Sequence, residues 1–274
     1  MFTERRHKLT NCDEQVKPIR TYNYPPRERM MRNLIYCAIV LLGTACSSGA
    51  DQAPSVNRAE WTVYKGDAHS SSYSSLEQIN RSNVDQLTVA WTYETPDPPG
   101  RTIECNPIVI DGTMYLASPA LKVIAIDAAS GEEQWVFDPF ADGGASGVNR
   151  GVMFWADGSD RRILFTAGPY LYALDAQTGR RITSFGSEGR VDLREQLDTD
   201  RTDLRVTAST PGVIYGDLLI MGSSVGEGPE HGAPGHIRAY DVRTGEREWI
   251  FHTIPHPGEF GHDTWPKNAW KHVG

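Results

Sequence analysis

The chain has 274 residues, 39% of them hydrophobic and 23% charged, a composition typical of a globular protein rather than a disordered one. Its 35 acidic and 27 basic residues give a net charge of −8, which argues against a nucleic-acid partner because phosphate neutralisation needs surplus Lys and Arg. Three of the four cysteines lie at or before residue 46, so the rest of the chain can form neither a disulfide framework nor a Cys-based zinc site.

A short apolar run near the N-terminus predicts an export signal. Residues 34–42 are apolar, Arg32 precedes them and small residues follow, and nine residues are too few to span a bilayer. The run leads to Cys46, and this pattern resembles a bacterial lipoprotein signal, in which the cysteine becomes the lipidated first residue. An ordinary cleaved signal with an incidental cysteine is the alternative. Both interpretations predict a periplasmic protein, and lipidation of Cys46 would anchor it to the outer membrane.

The predicted domain organisation follows from this signal. Residues 1–29 form a polar upstream extension, for which a start codon assigned too early and a long cytosolic n-region are both open explanations. Residues 30–46 are the signal, 47–56 a linker, and 57–274 a single folded domain.

Three copies of one phrase predict a repeat architecture. They are VIAIDAASGEEQW at 123–135, LYALDAQTGRRIT at 171–183 and HIRAYDVRTGEREW at 236–249. Their aspartates, Asp127, Asp175 and Asp241, lie 48 and 66 residues apart, and a unit of roughly 40–50 residues with a tryptophan signature is typical of a propeller. Alternating apolar residues before each Asp predict a strand, and Asp-x-x-(Ser/Thr)-Gly predicts a tight turn that needs a left-handed Gly.

A partner hairpin precedes each phrase, which gives about four strands per repeat. Residues 87–93 (LTVAWTY) predict a further strand of an earlier blade, with Trp91 as its wedge. We expect Trp135 and Trp249 to be buried between blades, because an indole buries a large apolar area. The predicted fold is therefore an all-β propeller of four-stranded blades; a β-sandwich is the alternative, but three in-register copies disfavour it.

The repeated phrase resembles the tryptophan-docking repeat of pyrroloquinoline-quinone (PQQ)-dependent dehydrogenases. The resemblance runs from Trp61 to the last residue and includes WTVYKGD at 61–67, LEQIN at 76–80 and HTIPHPGEFGHDTW at 252–265. It implies an eight-bladed family fold of which about half is present, with PQQ and Ca²⁺ as cofactors. It also implies oxidation of a sugar or alcohol, with electrons passing to a quinone or cytochrome c.

The resemblance also implies a set of cofactor-binding residues. Glu104 before the first hairpin and Arg150 before the next blade match family contacts to PQQ, a planar tricarboxylate that needs cationic partners. Ser209 matches the hydroxyl that holds a carboxylate, although Thr207 or Thr210 would serve after a one-residue slip.

The loop 222–227 completes the implied site. Ser224 and Gly226 match hydroxyl and backbone contacts to the cofactor, and Glu227 matches the carboxylate that ligates Ca²⁺. The family's adjacent cysteines before the matching Arg are replaced here by Ser146, Gly147 and Val148, and the His of membrane glucose dehydrogenases by Ala120. The choice between sugar and alcohol therefore stays open.

Three further interpretations concern what the chain lacks or leaves ambiguous. The family's catalytic Asp lies further along than residue 274, so we expect a fragment or half that is inactive without the missing propeller half. A non-enzymatic propeller lipoprotein that resembles the outer-membrane assembly lipoprotein is the rival function. The stretch that contains His252, His256, His262 and Asp263 predicts a packed loop rather than a metal site, because its Pro and Gly residues give the ligands no regular spacing.

Overall fold

The structure, a computed structural model, describes residues 60–98, 100–141, 147–199, 201–202, 204–226 and 232–272. Twelve strands within these ranges form three antiparallel four-stranded sheets, each a meander in chain order. The first blade contains β1 (Ile108–Ile110), β2 (Thr113–Ala117), β3 (Val123–Asp127) and β4 (Glu133–Phe137). The second contains β5 (Met153–Asp157), β6 (Asp160–Ala167), β7 (Tyr170–Asp175) and β8 (Arg190–Asp192). The third contains β9 (Val213–Tyr215), β10 (Leu218–Met221), β11 (Ile237–Asp241) and β12 (Arg247–Phe251).

Helical structure is short and peripheral. Two 3₁₀ turns occupy Val84–Gln86 and His262–Thr264, and α1 spans Ala269–His272. No helix in the described ranges has the length and apolar character needed to cross a membrane. The prediction of an all-β fold built from four-stranded blades is confirmed.

The blades pack face to face. Alternate residues of one strand pack against the blade on one side and the blade on the other side. In β6, Ile163 and Phe165 join a buried cluster shared with the first blade, whereas Leu164 joins a cluster shared with the third blade. Successive side chains of a strand point to opposite faces, so a central blade needs apolar residues at consecutive positions. The run Ile163–Leu164–Phe165 has this property, and all three side chains are buried.

The repeated turn forms as its sequence predicts. Asp127 Oδ1 accepts hydrogen bonds from the Ala129 and Ser130 amides and from the Ser130 hydroxyl, at 2.8–3.0 Å. These bonds to Ser130 and Ala129 lower the pKa of the Asp127 carboxyl. In the second blade Asp175 Oδ1 accepts from the Thr178 amide and hydroxyl, and in the third blade Asp241 Oδ1 accepts from the Arg243 and Thr244 amides. In a tight turn some backbone N–H groups have no backbone acceptor, and the Asp carboxylate accepts their hydrogen bonds instead.

Tryptophans dock onto the glycine of these turns. The Trp135 indole Nε1 donates to the Ala176 carbonyl at 3.2 Å, and Trp91 does the same to Ala128 at 3.2 Å. A Cβ at Gly179 would lie 2.5 Å from the Trp135 ring, so only glycine leaves room for the indole. Each docked indole therefore links one segment to the turn of the following blade.

The contact between the second and third blades uses a different residue. The second copy of the phrase ends in Thr183 rather than Trp, and the fully buried Phe185 takes over near the next turn. A Cβ at Gly245 would lie 3.2 Å from the Phe185 ring, and the Gly186 amide donates to the Thr244 carbonyl at 2.7 Å. Trp155 adds an indole hydrogen bond to Asp217 at 3.2 Å.

Two predictions about the repeats are wrong. Residues 87–93 form no strand in the structure, and Val89 is 82% exposed, although Trp91 docks as expected. Trp249 is 39% exposed rather than buried, because no described blade follows β12. Trp135 is partly buried and lies against the second blade, as predicted.

Candidate functional site

The candidate site lies where the chain enters the first strand of each blade. The Asn106 amide donates to the Arg150 carbonyl at 3.0 Å, and the Arg150 amide donates to the Ser209 carbonyl at 2.7 Å. These backbone bonds join the segments before β1, β5 and β9. Positions that are 46 and 59 residues apart in sequence (104 to 150 and 150 to 209) therefore lie side by side.

Glu104, Arg150 and Ser209 are in direct contact. Arg150 Nη1 donates to the Ser209 hydroxyl at 3.0 Å, and Arg150 Nη2 lies 3.4 Å from Glu104 Oε2. The Arg150 and Glu104 side chains are 41% and 39% exposed, so both are accessible to a ligand. A guanidinium carries five N–H donors in a planar fork, and the two contacts leave donors free for a carboxylate.

Two buried polar residues hold Arg150 and Ser209 in place. Asn149 Nδ2 donates to the Thr166 carbonyl at 2.9 Å, and Asn149 Oδ1 accepts from the Gly151 amide at 2.8 Å. The Thr166 hydroxyl donates to the Ala208 carbonyl at 2.6 Å. The β6 residue Thr166 thus ties the segments before β5 and β9 together, and so fixes the backbone on both sides of the Arg150–Ser209 contact.

The loop after β10 approaches the same segments. Thr207 and Ser224 exchange two backbone hydrogen bonds, at 3.0 and 2.6 Å. Ser224 and Gly226 are exposed, and their connection to the Arg150 contacts runs through Thr207. The neighbouring Ser223 hydroxyl accepts a bond from Arg238 Nη2 at 2.9 Å.

Arg238 supports this loop from inside the third blade. Its side chain is fully buried in β11, and its Nη1 donates to the Leu193 carbonyl at 2.8 Å. Burial lowers the pKa of this guanidinium, yet an arginine stays protonated in the physiological range. The buried cation therefore joins the loop after β10 to the segment after β8.

The structure brings together three of the six residues implied by the family resemblance. Of the alternatives for the hydroxyl, Ser209 contacts Arg150, whereas Thr207 pairs with Ser224 and Thr210 is exposed. Glu227, the predicted Ca²⁺ ligand, lies outside the described residues, as does Cys46. Sequence reasoning missed Asn149 as a positioning residue, although it directly precedes Arg150 in the sequence.

The stretch after β12 begins as a loop, as predicted, but this loop brings two of its histidines together. His252 and His256 lie together with His236, and one ring nitrogen from each lies within 4.8 Å of the others. The spacing argument was wrong for these two residues because a loop, rather than a strand or helix, brings their rings together. His262 lies apart from this cluster and its Nδ1 pairs with the Pro255 carbonyl at 2.9 Å.

Cys105 lies next to Glu104 but faces the core. Its Sγ accepts a hydrogen bond from the Ala117 amide at 3.1 Å. Burial raises the pKa of the thiol to about 11, so it stays protonated at neutral pH. A protonated, buried thiol is a poor nucleophile, and Cys105 therefore has a packing role.

Comparisons with known proteins agree with this architecture. The family model described as "PQQ: Glucose/ethanol/alcohol dehydrogenase, beta-propeller domain" matches residues 61–274. The quinoprotein glucose dehydrogenase of Gluconobacter oxydans is 32% identical over 261 residues, covering 84% of this chain and 32% of that protein. The dehydrogenase subunit of the quinone-dependent alcohol dehydrogenase of Gluconacetobacter polyoxogenes is 30% identical over 268 residues, covering 87% of this chain and 34% of that protein.

A solved structure supports the same relationship. The quinohemoprotein alcohol dehydrogenase of Comamonas testosteroni superposes with a TM-score of 0.60 at 32% identity, covering 73% of this chain and 28% of that one. The chain thus spans about a third of the length of the curated relatives that it matches.

Proposed function

Because the chain belongs to the family of PQQ-dependent glucose, ethanol and alcohol dehydrogenase β-propellers, we propose that it forms part of a PQQ site that oxidises a sugar or an alcohol. The single observation that supports this most is the contact of Glu104, Arg150 and Ser209 across three consecutive blades. Three separate loops meet there, and the polar groups they present suit an anionic, planar ligand.

The residues present fit the chemistry of such a cofactor. Arg150 offers free guanidinium donors to a carboxylate, and Ser209 offers a hydroxyl that already holds Arg150 in orientation. Glu104 keeps the guanidinium from turning towards solvent and accepts hydrogen bonds from a ligand's donors. When bound, PQQ supplies the acceptor for the two electrons of the substrate alcohol. The chain's own residues bind and orient it.

Metal and electron transfer complete the proposal. We assign Ca²⁺ binding to Glu227, supported by the resemblance of the loop 222–227 and by the preference of Ca²⁺ for carboxylate oxygens. Ser224 and Gly226 of the same loop contact the cofactor in this proposal. Electrons then pass to a separate quinone or cytochrome c in the periplasm.

PQQ binding tests the site directly. Quenching of intrinsic fluorescence, titrated with PQQ in the presence of Ca²⁺, should give saturable binding that weakens at least about tenfold in Arg150→Ala, since charge-assisted hydrogen bonds contribute about 1.5–3 kcal/mol. Arg161→Ala is the matched control, because Arg161 is similarly exposed but pairs with Asp111 in a surface contact. Equal affinities of the two variants would remove Arg150 from the site. Absence of PQQ binding to the unaltered chain would favour the propeller scaffold instead.

The periplasmic location has its own test. We propose that Cys46 is lipidated and that the mature chain begins there. Expression with labelled palmitate should label the protein, and Cys46→Ala should lose the label while Cys12→Ala keeps it. Secretion of an unlabelled mature chain would support the ordinary cleaved signal instead.

A further inference from the structure

Three histidines form a cluster at one end of the third blade. His236 precedes β11, His252 follows β12, and His256 lies in the loop beyond. The ring centroids of His236 and His252 are 4.6 Å apart, and those of His252 and His256 are 3.7 Å apart. Since β11 and β12 are antiparallel, the start of one and the end of the other lie at the same end of the blade. This is also the end that carries the loop after β10.

His236 is the residue that makes the cluster unusual. Its side chain is only 2% exposed, and neither ring nitrogen has a hydrogen-bond partner among the residues that the structure describes. A buried polar group without a partner costs about 1–3 kcal/mol, so such groups are rare in folded proteins and call for a ligand or another role. Burial, then the nearby His252 and His256, lowers the pKa of His236 to about 4. One of its ring nitrogens lies within 4.8 Å of a ring nitrogen of His252 and of one of His256.

His252 already has the carboxylate partners that accompany metal-binding histidines. Its Nδ1 lies 2.8 Å from Glu259 Oε1, and its Nε2 lies 3.1 Å from Asp198 Oδ2. A ligating imidazole usually donates its second N–H to a carboxylate, which fixes the ring and increases its basicity. One carboxylate is enough to fix the ring, and His252 has two. One of them can hold the ring while the other is released towards an ion.

We propose that His236, His252 and His256 bind a divalent transition-metal ion, with Zn²⁺ as the best fit, and that Asp198 or Glu259 supplies the fourth ligand. Three imidazoles and one carboxylate suit the tetrahedral preference and borderline softness of Zn²⁺. The set differs in kind from a Ca²⁺ site, which requires hard oxygen ligands. The proposal is independent of PQQ binding, since none of these residues belongs to the site around Arg150.

Binding requires a modest rearrangement of two rings. Nitrogens bound to Zn²⁺ at about 2.0–2.1 Å lie roughly 3.4 Å apart in a tetrahedron, and the nitrogens of the cluster lie within 4.8 Å of one another, so no pair has to close by more than about 1.4 Å. His252 and His256 stack in parallel, with 5° between their planes, and must tilt to direct their lone pairs at one ion. Both lie outside the strands and are partly exposed, whereas the buried His236 provides the fixed point.

The bound ion would act as a clamp. It would connect the loop that contains His256 and Glu259 to the start of β11 and the end of β12, which the strand pairing already joins to each other. An ion that binds only the folded state stabilises it by RT ln(1 + [ion]/Kd). We therefore expect Zn²⁺ to raise the melting temperature of the full chain, and His256→Ala to reduce this rise.

Co²⁺ provides a direct probe of the site. Metal-free full-length chain with Cys12, Cys37 and Cys46 changed to Ser should bind one Co²⁺ and show the intense visible absorption of a tetrahedral complex, which Zn²⁺ then abolishes. His256→Ala should weaken Co²⁺ binding at least about tenfold. Removing even a residue that only hydrogen-bonds a metal ligand lowers metal affinity about 10–100-fold, and a ligand should matter at least as much. His262→Ala is the matched control, since His262 lies in the same segment but bonds the Pro255 carbonyl.

Two outcomes would overturn the proposal. One is absence of stoichiometric Co²⁺ binding to the folded protein. The other is an equal affinity in His256→Ala and His262→Ala, which would place the ion elsewhere. His236→Gln, checked for folding by circular dichroism, should lose the tetrahedral absorption as well; if folded His236→Gln keeps it, the buried histidine is not a ligand.

Discussion

At the scale of single residues, Gly179 is a position of the repeat that only glycine can occupy. It adopts a left-handed φ of +68° and faces the Trp135 ring at a distance that excludes a Cβ. Gly158 has a similar φ of +59° but open space around it. We expect Gly158→Ala to lower the free energy of unfolding by about 1–2 kcal/mol through backbone strain alone.

Gly179→Ala should lose that amount and about 1–3 kcal/mol more, because the added methyl displaces the indole. Urea unfolding of both variants measures the difference. Equal losses in the two would mean that the docking contact contributes nothing.

Cys105 gives a second prediction at this scale. The unfolded thiol releases its proton near pH 8.5, as free cysteine does, whereas the folded thiol holds it to about 11. The folded state therefore loses stability as the pH rises between these values, and none of this loss occurs below about pH 8. At pH 8 we expect iodoacetamide to leave the Cys105 peptide unmodified in the native chain and to alkylate it in urea, as read by peptide mass spectrometry. Rapid alkylation of the native chain would contradict the buried position.

At the turns, the sequence predicted single residues correctly: the repeated phrase placed Asp127, Asp175 and Asp241, and each accepts the turn's hydrogen bonds. Arg150 contacts Ser209 and Glu104, and its binding of PQQ stays a prediction. The choice among Thr207, Ser209 and Thr210 required the structure, because a one-residue slip changes which hydroxyl faces Arg150. His236 was missed as a partner of His252 because the two come together through the pairing of β11 with β12, which a local spacing argument does not include.

At the scale of elements, Arg162 joins two blades. Its buried guanidinium donates from Nη1 to the Val242 and Arg243 carbonyls at 3.1 and 2.7 Å, and pairs with Asp160. The hydrogen bond from Arg162 is also the main reason that the pKa of Asp160 is lowered. Arg162 thus connects β6 to the turn after β11.

Arg162→Met should therefore cost about 2–4 kcal/mol of unfolding free energy, since it leaves two carbonyls without their charged donor. Arg161→Met is the matched control on the same strand: its pair with Asp111 is exposed, and such pairs contribute about 0–1 kcal/mol. Thermal or urea unfolding compares the two. A cost in Arg161→Met as large as that in Arg162→Met would contradict a blade-joining role.

At this scale the sequence pattern predicted the repeated strands correctly and two other features wrongly. Strand and turn positions in the three repeats followed from alternation and from the Asp-x-x-(Ser/Thr)-Gly phrase. Residues 87–93 carry the same alternation yet form no strand, because a strand exists only with a hydrogen-bonded neighbour. Exposure of Trp249 has the same origin, since its burial depends on the surface of another blade rather than on β12 itself.

At the scale of the whole molecule, the question is what the 274-residue chain can do alone. It spans about a third of the length of its relatives, and three blades present Glu104, Arg150 and Ser209 from neighbouring segments. A cofactor held from these segments is contacted from one side. Affinity for PQQ should then be modest, because enclosure on several sides is what buries most of a ligand's surface.

We predict that this chain, supplied with PQQ and Ca²⁺, shows no dehydrogenase turnover with any sugar or alcohol. Oxidation of an alcohol requires a base for the hydroxyl proton, and such assistance contributes about 10²–10⁴ in rate. Glu104 is the carboxylate of the contacting trio, and its pairing with Arg150 directs it towards the guanidinium rather than a substrate.

Reduction of an artificial electron acceptor, followed spectroscopically, measures this. Addition in trans of the part of the Gluconobacter oxydans relative that this chain does not match should restore turnover if the two pieces associate, and Arg150→Ala should then reduce it again. Turnover by the unaided chain at an ordinary enzyme rate of about 1–10³ s⁻¹ would show that the base lies within these 274 residues. His262 and Asp263, which lie together in the segment after β12, would then be the first residues to replace.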